Sequence, residues 1–347
     1  MSFLTRKISS KILIALSVII IALGGLFALG ILKINWNTGE INVTKNEKPE
    51  EKGVECPTDG HYVSLDQTKN RPFAIMIENH PDARPQSGLA KAEIVYEGVT
   101  EGGITRFMAV YGCNQDVAEI GPIRSARGYF LEWVKELNAF YAHAGGSTEG
   151  LNLIKAYDIL DLNDSQKYFW RDKKRLSPHN LYTSIDKLIS YAKSKKYEIE
   201  ADITKLKFKD DDKQAEPEGK EITVEFSGIV YEVKWIFEAD KDAYRRVMAG
   251  GTHKDKSGET IYAKNVIVQF VESSQFKEGD KTLIDLKNIG FGDAWVFLDG
   301  RVIKGTWRKE SQTARTKFYN SKGQEIEFNR GPIWIEVLEK GKEVKIK

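Results

Sequence analysis

Cysteine is almost missing from this chain. Two residues in 347, Cys56 and Cys113, rule out a multi-sulfur metal site and a disulfide-dense scaffold. Neither CxxC nor HxxxH spacing occurs, so the usual zinc signatures are absent and no metal site is read from the sequence. There is no Walker loop, no Rossmann fingerprint and no GxSxG elbow, which excludes the common nucleotide-binding and hydrolase signatures. Charge of one sign is lacking too. The 52 basic and 50 acidic residues are dispersed, with net charge +2, so nucleic acid is not an expected partner. No internal repeat is visible.

What the chain does have begins with a long apolar run. From Ile12 to Leu32 the only polar side chain is Ser17, and a helix of ~20 such residues spans ~30 Å of hydrocarbon. Arg6, Lys7 and Lys11 precede it, while Lys33 alone follows closely. Basic residues stay on the cytoplasmic side. The expectation is therefore a cytoplasmic tail (1–11), a single transmembrane anchor (12–32) and a body outside the cytoplasmic membrane. A cleaved signal peptide is the alternative, and it exports the body equally. In that oxidising compartment Cys56 and Cys113 are expected to pair. A bridge closing ~57 residues would contribute at most ~4 kcal/mol in the chain-entropy account; two free thiols are the alternative.

Residues 33–56, polar and rich in Lys, Glu and Asn, read as a flexible stalk. Residues 57–200 mix strand and helix patterns. Strands are predicted at Phe73–Ile77, Ile94–Glu97, Arg106–Tyr111, Val117–Ile123 and Ala139–His143. Helices are predicted over Ser125–Leu137 and Ser147–Tyr157, and a third starts from Thr183 in a capping-box pattern with Asp186. A charged linker (201–220) contains DDDKQAEPEG. Residues 221–347 then carry many short strand patterns between Gly and Asp/Asn turns, pointing to a β-rich sandwich or barrel. The fold class is thus α+β, with a mixed α/β domain followed by a β-rich one behind one N-terminal transmembrane helix.

Unusual polar residues gather at the predicted strand ends of the first domain. ENHPDARPQ, stiffened by two prolines, presents Glu78, Asn79, His80, Asp82, Arg84 and Gln86. EGVTEGGITR sets Glu97, Glu101 and Arg106 around a Gly-Gly bend. GPIRSAR places Arg124, Ser125 and Arg127 where a helix is predicted to begin. Free N–H groups there, together with the guanidiniums, would make an anion site; salt bridges to Glu132 or Glu136 are the alternative. HAGGS carries His143 at a strand end, and Arg171, His179 and Asn180 follow; His143, His179 and His80 are open to reading as acid/base groups or metal ligands, and a lone buried histidine as a structural one. Glu78, Glu97, Glu101 and His143 are the acid/base candidates, or holders of a divalent cation. Asn79, Arg84, Arg106, Arg124, Ser125, Arg127, Arg171, His179 and Asn180 are the ligand-binding candidates.

The stretches RPFAIMIENHPDARPQSGLAKAEIVYEGVTEGGITRF, IGPIRSAR, HAGGS and SPHNLYTS, with KNVIVQF, GTWRK and GPIWIEV further on, resemble the YerB-like bacterial envelope lipoproteins. That resemblance implies a two-domain extracytoplasmic protein of uncharacterised function. A weaker similarity is to the LytR–CpsA–Psr cell-wall ligases, although KAEIVYE stands where their Arg-x-Asp element is expected. Two functions follow as expectations. One is a binder of an anionic, phosphate-bearing wall polymer or lipid-linked glycan; the other is an envelope enzyme transferring or hydrolysing a phosphate-linked glycan.

Overall fold

Phe73, Ile75 and Ile77 alternate with Ala74 and Met76, and both sets are completely or almost completely buried. A strand with two apolar faces must lie in a sheet covered on both sides. That is its position in the computed structural model of the protein, which describes residues 53–212 and 216–347. The model also describes the backbone of Leu32–Ile34 and Ile41–Val43, two short strands that pair antiparallel. Met1–Lys52 and Gly53–Lys347 form separate compact units.

Within the larger unit the chain runs through β1 (Phe73–Glu78), β2 (Ile94–Val99), β3 (Thr105–Tyr111), α1 (Leu131–Glu136), β4 (Phe140–His143), α2 (Thr148–Ala156), β5 (Leu160–Asn163) and α3 (Ile185–Ser194). It continues with β6 (Glu221–Glu225), β7 (Glu232–Glu238), β8 (Ala243–Met248), β9 (Asn265–Glu278), β10 (Lys281–Lys287), β11 (Gly290–Leu298), β12 (Arg301–Lys309), β13 (Lys317–Asn320), β14 (Ile333–Glu339) and β15 (Val344–Ile346). One 11-stranded sheet has the order β13-β12-β11-β9-β14-β2-β3-β1-β4-β5, with β10 paired to the far half of β9. β6, β7, β8 and β15, with Gly251–Thr252 and Tyr262–Ala263, make a second sheet.

The segments 57–200 and 221–347 therefore share a sheet, because β14 lies parallel between β2 and β9. α3 and the second sheet contribute to the core that includes Phe73, Ile75 and Ile77, while α1 contributes to the one with Ala74 and Met76. The strand-rich character of the C-terminal segment is as expected. Six of its strands, β9 to β14, however, extend the shared sheet, and six others make the second sheet. The linker is also partly structured: Phe208–Lys209 pairs parallel with Phe328–Asn329.

Several local expectations change. The tail and anchor lie outside the described residues except for Leu32, which opens a strand. Among the described residues no helix is long and apolar enough to cross a membrane. The stalk ends earlier than residue 56, since Val54–Glu55 pairs with Tyr62–Val63 and Cys56 is bonded to Cys113 with Cα atoms 6.1 Å apart. Val117–Ile123 is not a strand. It makes only isolated bridges, Ile120 to Thr183, Gly121 to Ser87 and Ile123 to Ile77, and Pro122 has no N–H with which to continue a ladder. The helix predicted from Ser125 begins only at Leu131 after a turn at Gly128–Phe130. The backbone before it is committed elsewhere: Arg124 N–H donates to the Met76 carbonyl and Ala126 N–H to that of Gly145. Helix α2 forms as expected, with the Ser147 hydroxyl accepting from Gly150 N–H. α3 is capped by Ser184, which accepts from Lys187 N–H, instead of by Thr183.

Candidate functional site

Strands β1, β2, β4 and β5 are mutually parallel, with β3 antiparallel among them. The carboxyl ends of the four and the start of β3 thus meet at one end of the sheet, where loops are free to carry polar groups. The segment Ile123–Arg127 crosses that end. Arg124 is bonded through its N–H to β1 and through its carbonyl to the Ala144 N–H beyond β4. This crossing delivers Arg124 and Arg127 to the strand ends.

Glu78, the last residue of β1, is 3% exposed. Its two carboxylate oxygens lie 3.0 Å from Arg124 Nε and 3.0 Å from His179 Nδ1. Arg106 pairs with Glu78 across β1 and β3, yet its guanidinium has no carboxylate partner among the described residues. Nη1 donates to the Ser125 carbonyl at 2.6 Å. Arg127 forms a two-pronged pair with Glu101, Nε to Oε2 at 2.9 Å and Nη2 to Oε1. Burial pushes Arg106 down to about 10, helped by the positive charges of Arg127 and Arg124 and opposed by the negative charge of Glu101. Burial alone would raise Glu101, but the hydrogen bond and charge of Arg127 and the charge of Arg106 hold it at about 2. Three guanidiniums thus converge on two carboxylates, and Arg106 feels the charge of Glu101 without having a carboxylate bonded to it.

The grouping differs in origin from the one expected. α1 starts at Leu131 and is only six residues long, so no helix terminus contributes to the anion site. The expected alternative pairing of these arginines with Glu132 or Glu136 is also absent: Glu136 is bonded to Lys309 and Arg315. The N-terminus of α2 is taken as well, by Glu278, which accepts from Thr148 and Glu149 N–H.

Other candidates are structural in their surroundings. His143 is fully buried, with Nδ1 2.7 Å from the Gly145 carbonyl and Nε2 2.9 Å from Asp161; both nitrogens are occupied and solvent does not reach the ring. Asn180 Oδ1 accepts from Arg171, while its Nδ2 donates to the carbonyls of Asp172 and Arg175, which closes the loop between them. Arg84 donates to Asn79 and to the Val230 carbonyl and lies over the Tyr231 ring at 5.3 Å.

Glu97 belongs to a buried network the sequence reading missed. It accepts from Thr105 Oγ1 at 2.6 Å and from Asn79 Nδ2 at 3.2 Å, and it pairs with Arg246, both side chains being fully buried. Arg246 lies 4.5 Å from the Trp334 ring centroid and donates to His253 Nδ1, whose Nε2 meets Gln86 Oε1 at 3.0 Å. Burial and the charges of Arg246 and Arg84 keep His253 neutral. Burial, reinforced by Glu97, raises Glu336 far above the carboxylate range. In the sequence, Arg246 and Glu336 are single charges within ordinary strand patterns, and nothing local distinguishes them.

No sequence spacing marks a metal site, but the fold brings His80, Asp82 and His179 together, with one potential ligand atom of each within 4.8 Å of the others. Clefts of about 400 Å³ beside Ser87, Asp116 and Lys256, and of about 470 Å³ beside Trp295 and Lys340, lie away from the arginines. The arginine cluster is the better candidate site because it gathers three guanidiniums around two carboxylates and perturbs both Arg106 and Glu101, whereas those clefts do not.

Residues 60–198 match the family described as Protein of unknown function (DUF3048) N-terminal domain, and residues 222–335 match its C-terminal domain. The chain is 29% identical over 294 residues to the Bacillus subtilis (strain 168) protein named "Putative lipoprotein YerB", covering 83% of this chain and 87% of that one. A crystal structure of YerB from Bacillus subtilis superposes with a TM-score of 0.76 at 28% identity, over 85% of this chain and 99% of the other. The two segments that match are the two that share the central sheet here, and on that agreement the chain belongs to the YerB-like family of unknown function.

Proposed function

We propose that this protein is a membrane-associated, extracytoplasmic binder of an anionic ligand, a phosphate-bearing wall polymer or lipid-linked glycan, at the Arg106–Arg124–Arg127 cluster. The observation that carries the reading is the buried guanidinium of Arg106, in the field of Arg124 and Arg127 and with no carboxylate bonded to it. A guanidinium presents a fork of donors matched to phosphate oxygens, and an arriving anion would supply the missing charge. The extracytoplasmic setting is supported by the lipoprotein name of the Bacillus subtilis relative. It is also consistent with the Cys56–Cys113 disulfide, a bond that persists in oxidising compartments. Binding is favoured over turnover because Glu97 and His143, two of the four acid/base candidates, are buried and already bonded.

The test is titration of the full chain with inorganic pyrophosphate and with a polyglycerol-phosphate polymer, followed by calorimetry. Arg124→Ala should weaken binding about tenfold or more, the scale of one charge-assisted hydrogen bond. Its melting temperature should stay close to that of the parent, since Arg124 is about one-third exposed. Affinity unchanged in this variant would exclude the site.

A further inference from the structure

We propose that His80, Asp82 and His179 form a binding site for a divalent transition metal of the zinc class, with Glu78 as the outer carboxylate that orients His179. Two loops distant in sequence build it. His80 and Asp82 stand on the turn that follows β1, and His179 on the loop between Arg171 and Leu181, which is fastened to that turn by Arg175 Nη2 donating to the Pro85 carbonyl at 2.8 Å. The imidazole rings of His80 and His179 face each other with centroids 4.8 Å apart and planes 16° apart.

The hydrogen bonds fix which nitrogen of each ring can ligate. His179 Nδ1 lies 3.0 Å from Glu78 Oε2, so it carries the proton and leaves the Nε2 lone pair free. The other Glu78 oxygen is held by Arg124 at 3.0 Å, which prevents the carboxylate from turning away. A carboxylate behind a histidine is the common second layer of zinc sites, where it sets tautomer and ring orientation. His80 Nδ1 accepts the Asp82 N–H at 3.3 Å, so that nitrogen is the unprotonated one, and it faces Asp82 Oδ2 at 3.6 Å; a bound ion takes over that lone pair and breaks the long hydrogen bond to Asp82 N–H.

Two imidazole nitrogens and a carboxylate oxygen suit zinc chemically, and three protein ligands leave a fourth position for water or a ligand oxygen. Zinc–nitrogen bonds of about 2.0–2.1 Å imply ligand atoms roughly 3.3 Å apart in a tetrahedron, against the 4.8 Å limit found here. The site must close slightly on the ion. The Asp82 side chain, 72% exposed, and that of His80, 35% exposed, can supply that movement. Two other groupings contain Cys56, with Glu93 and Cys113 or with Asp59 and His61. Their sulfurs are spent in the disulfide, so they offer no thiolate.

The experiment uses the untagged full chain, stripped with chelator and titrated with Zn²⁺ alone by calorimetry, then with Co²⁺ to read coordination from its visible absorption. The expected result is one ion per chain with tetrahedral-type cobalt bands. Both are lost in His179→Ala and weakened at least tenfold in Asp82→Asn, while His61→Ala leaves them unchanged. Glu78→Gln should weaken the ion by about 10–100-fold, as loss of an outer-shell partner does. Because Asp82 is on the surface, its substitution reports even if the His179 variant does not fold. No saturable binding, or binding indifferent to Asp82→Asn, overturns the proposal. The pyrophosphate titration, run without metal, is independent of this result.

Discussion

Two carboxylates a few residues apart in sequence respond to pH in opposite senses. Glu93 is completely buried, and that burial, with the nearby negative charge of Asp59, raises it from 4.5 to about 7. It accepts from Thr58 Oγ1, from Gly112 N–H at 2.8 Å and from Asn114 N–H at 2.5 Å, beside the disulfide. A folded-state value above the unfolded one means a contribution fully present below pH 4.5 and lost as pH rises through 7. The shift corresponds to roughly 3 kcal/mol. Urea unfolding measured from pH 5 to 8 should therefore show falling stability, and Glu93→Gln should flatten that slope. Glu101 behaves conversely: depressed to about 2, its contribution is present above pH 4.5 and lost as pH falls through 2. Part of the residue scale was legible from sequence alone. Arg106, Arg124, Arg127, Glu78 and Glu101 stood out because polar residues crowd at apolar strand ends. The pairing of Glu78 with His179 was not legible, since it depends on a 101-residue separation that no local pattern encodes.

At the scale of elements, propensity was overruled where backbone hydrogen bonds had better partners. Ser125–Leu137 carries a helical pattern, but Arg124 N–H goes to β1 and the Ala126 N–H and carbonyl go to Gly145 and Ser147 beyond β4, and α1 forms only past them. Helix α2 was easier to read because its cap lies within it: Ser147 accepts from Gly150 N–H at 3.1 Å and is buried. Ser147→Ala should cost about 1 kcal/mol, the usual loss for a serine cap, and Ser147→Asp should largely restore it. Chemical denaturation of the full chain measures both. α2 lies next to the crossing segment, since Ala126 bridges Gly146 just before it. A weakened cap should thus loosen Arg127 as well, visible as faster amide exchange at Ala126.

For the whole molecule, the buried Arg246–Glu97 pair joins the two segments, with Arg246 on β8 and Glu97 on β2. Removing one partner of a buried pair typically costs 3–5 kcal/mol. Arg246→Met should therefore lower stability by about that amount, while Arg246→Met with Glu97→Gln should recover much of it. Far-ultraviolet dichroism and tryptophan fluorescence should report one coincident urea transition for both segments. Two separated transitions would mean that the shared sheet does not couple them. Strand identities were largely readable from alternation, but strand order was not, because β2 pairs with β14 across some 240 residues, Ile94 meeting Ile333. That pairing sets the chain's timetable. The strand that fills the middle of the sheet leaves the ribosome some 240 residues after its partner β2, so the body cannot close before it has emerged. A stop codon near position 330 would remove the centre of the sheet. For a polypeptide threaded through a secretion channel, the same arrangement keeps it pliable until β14 is through.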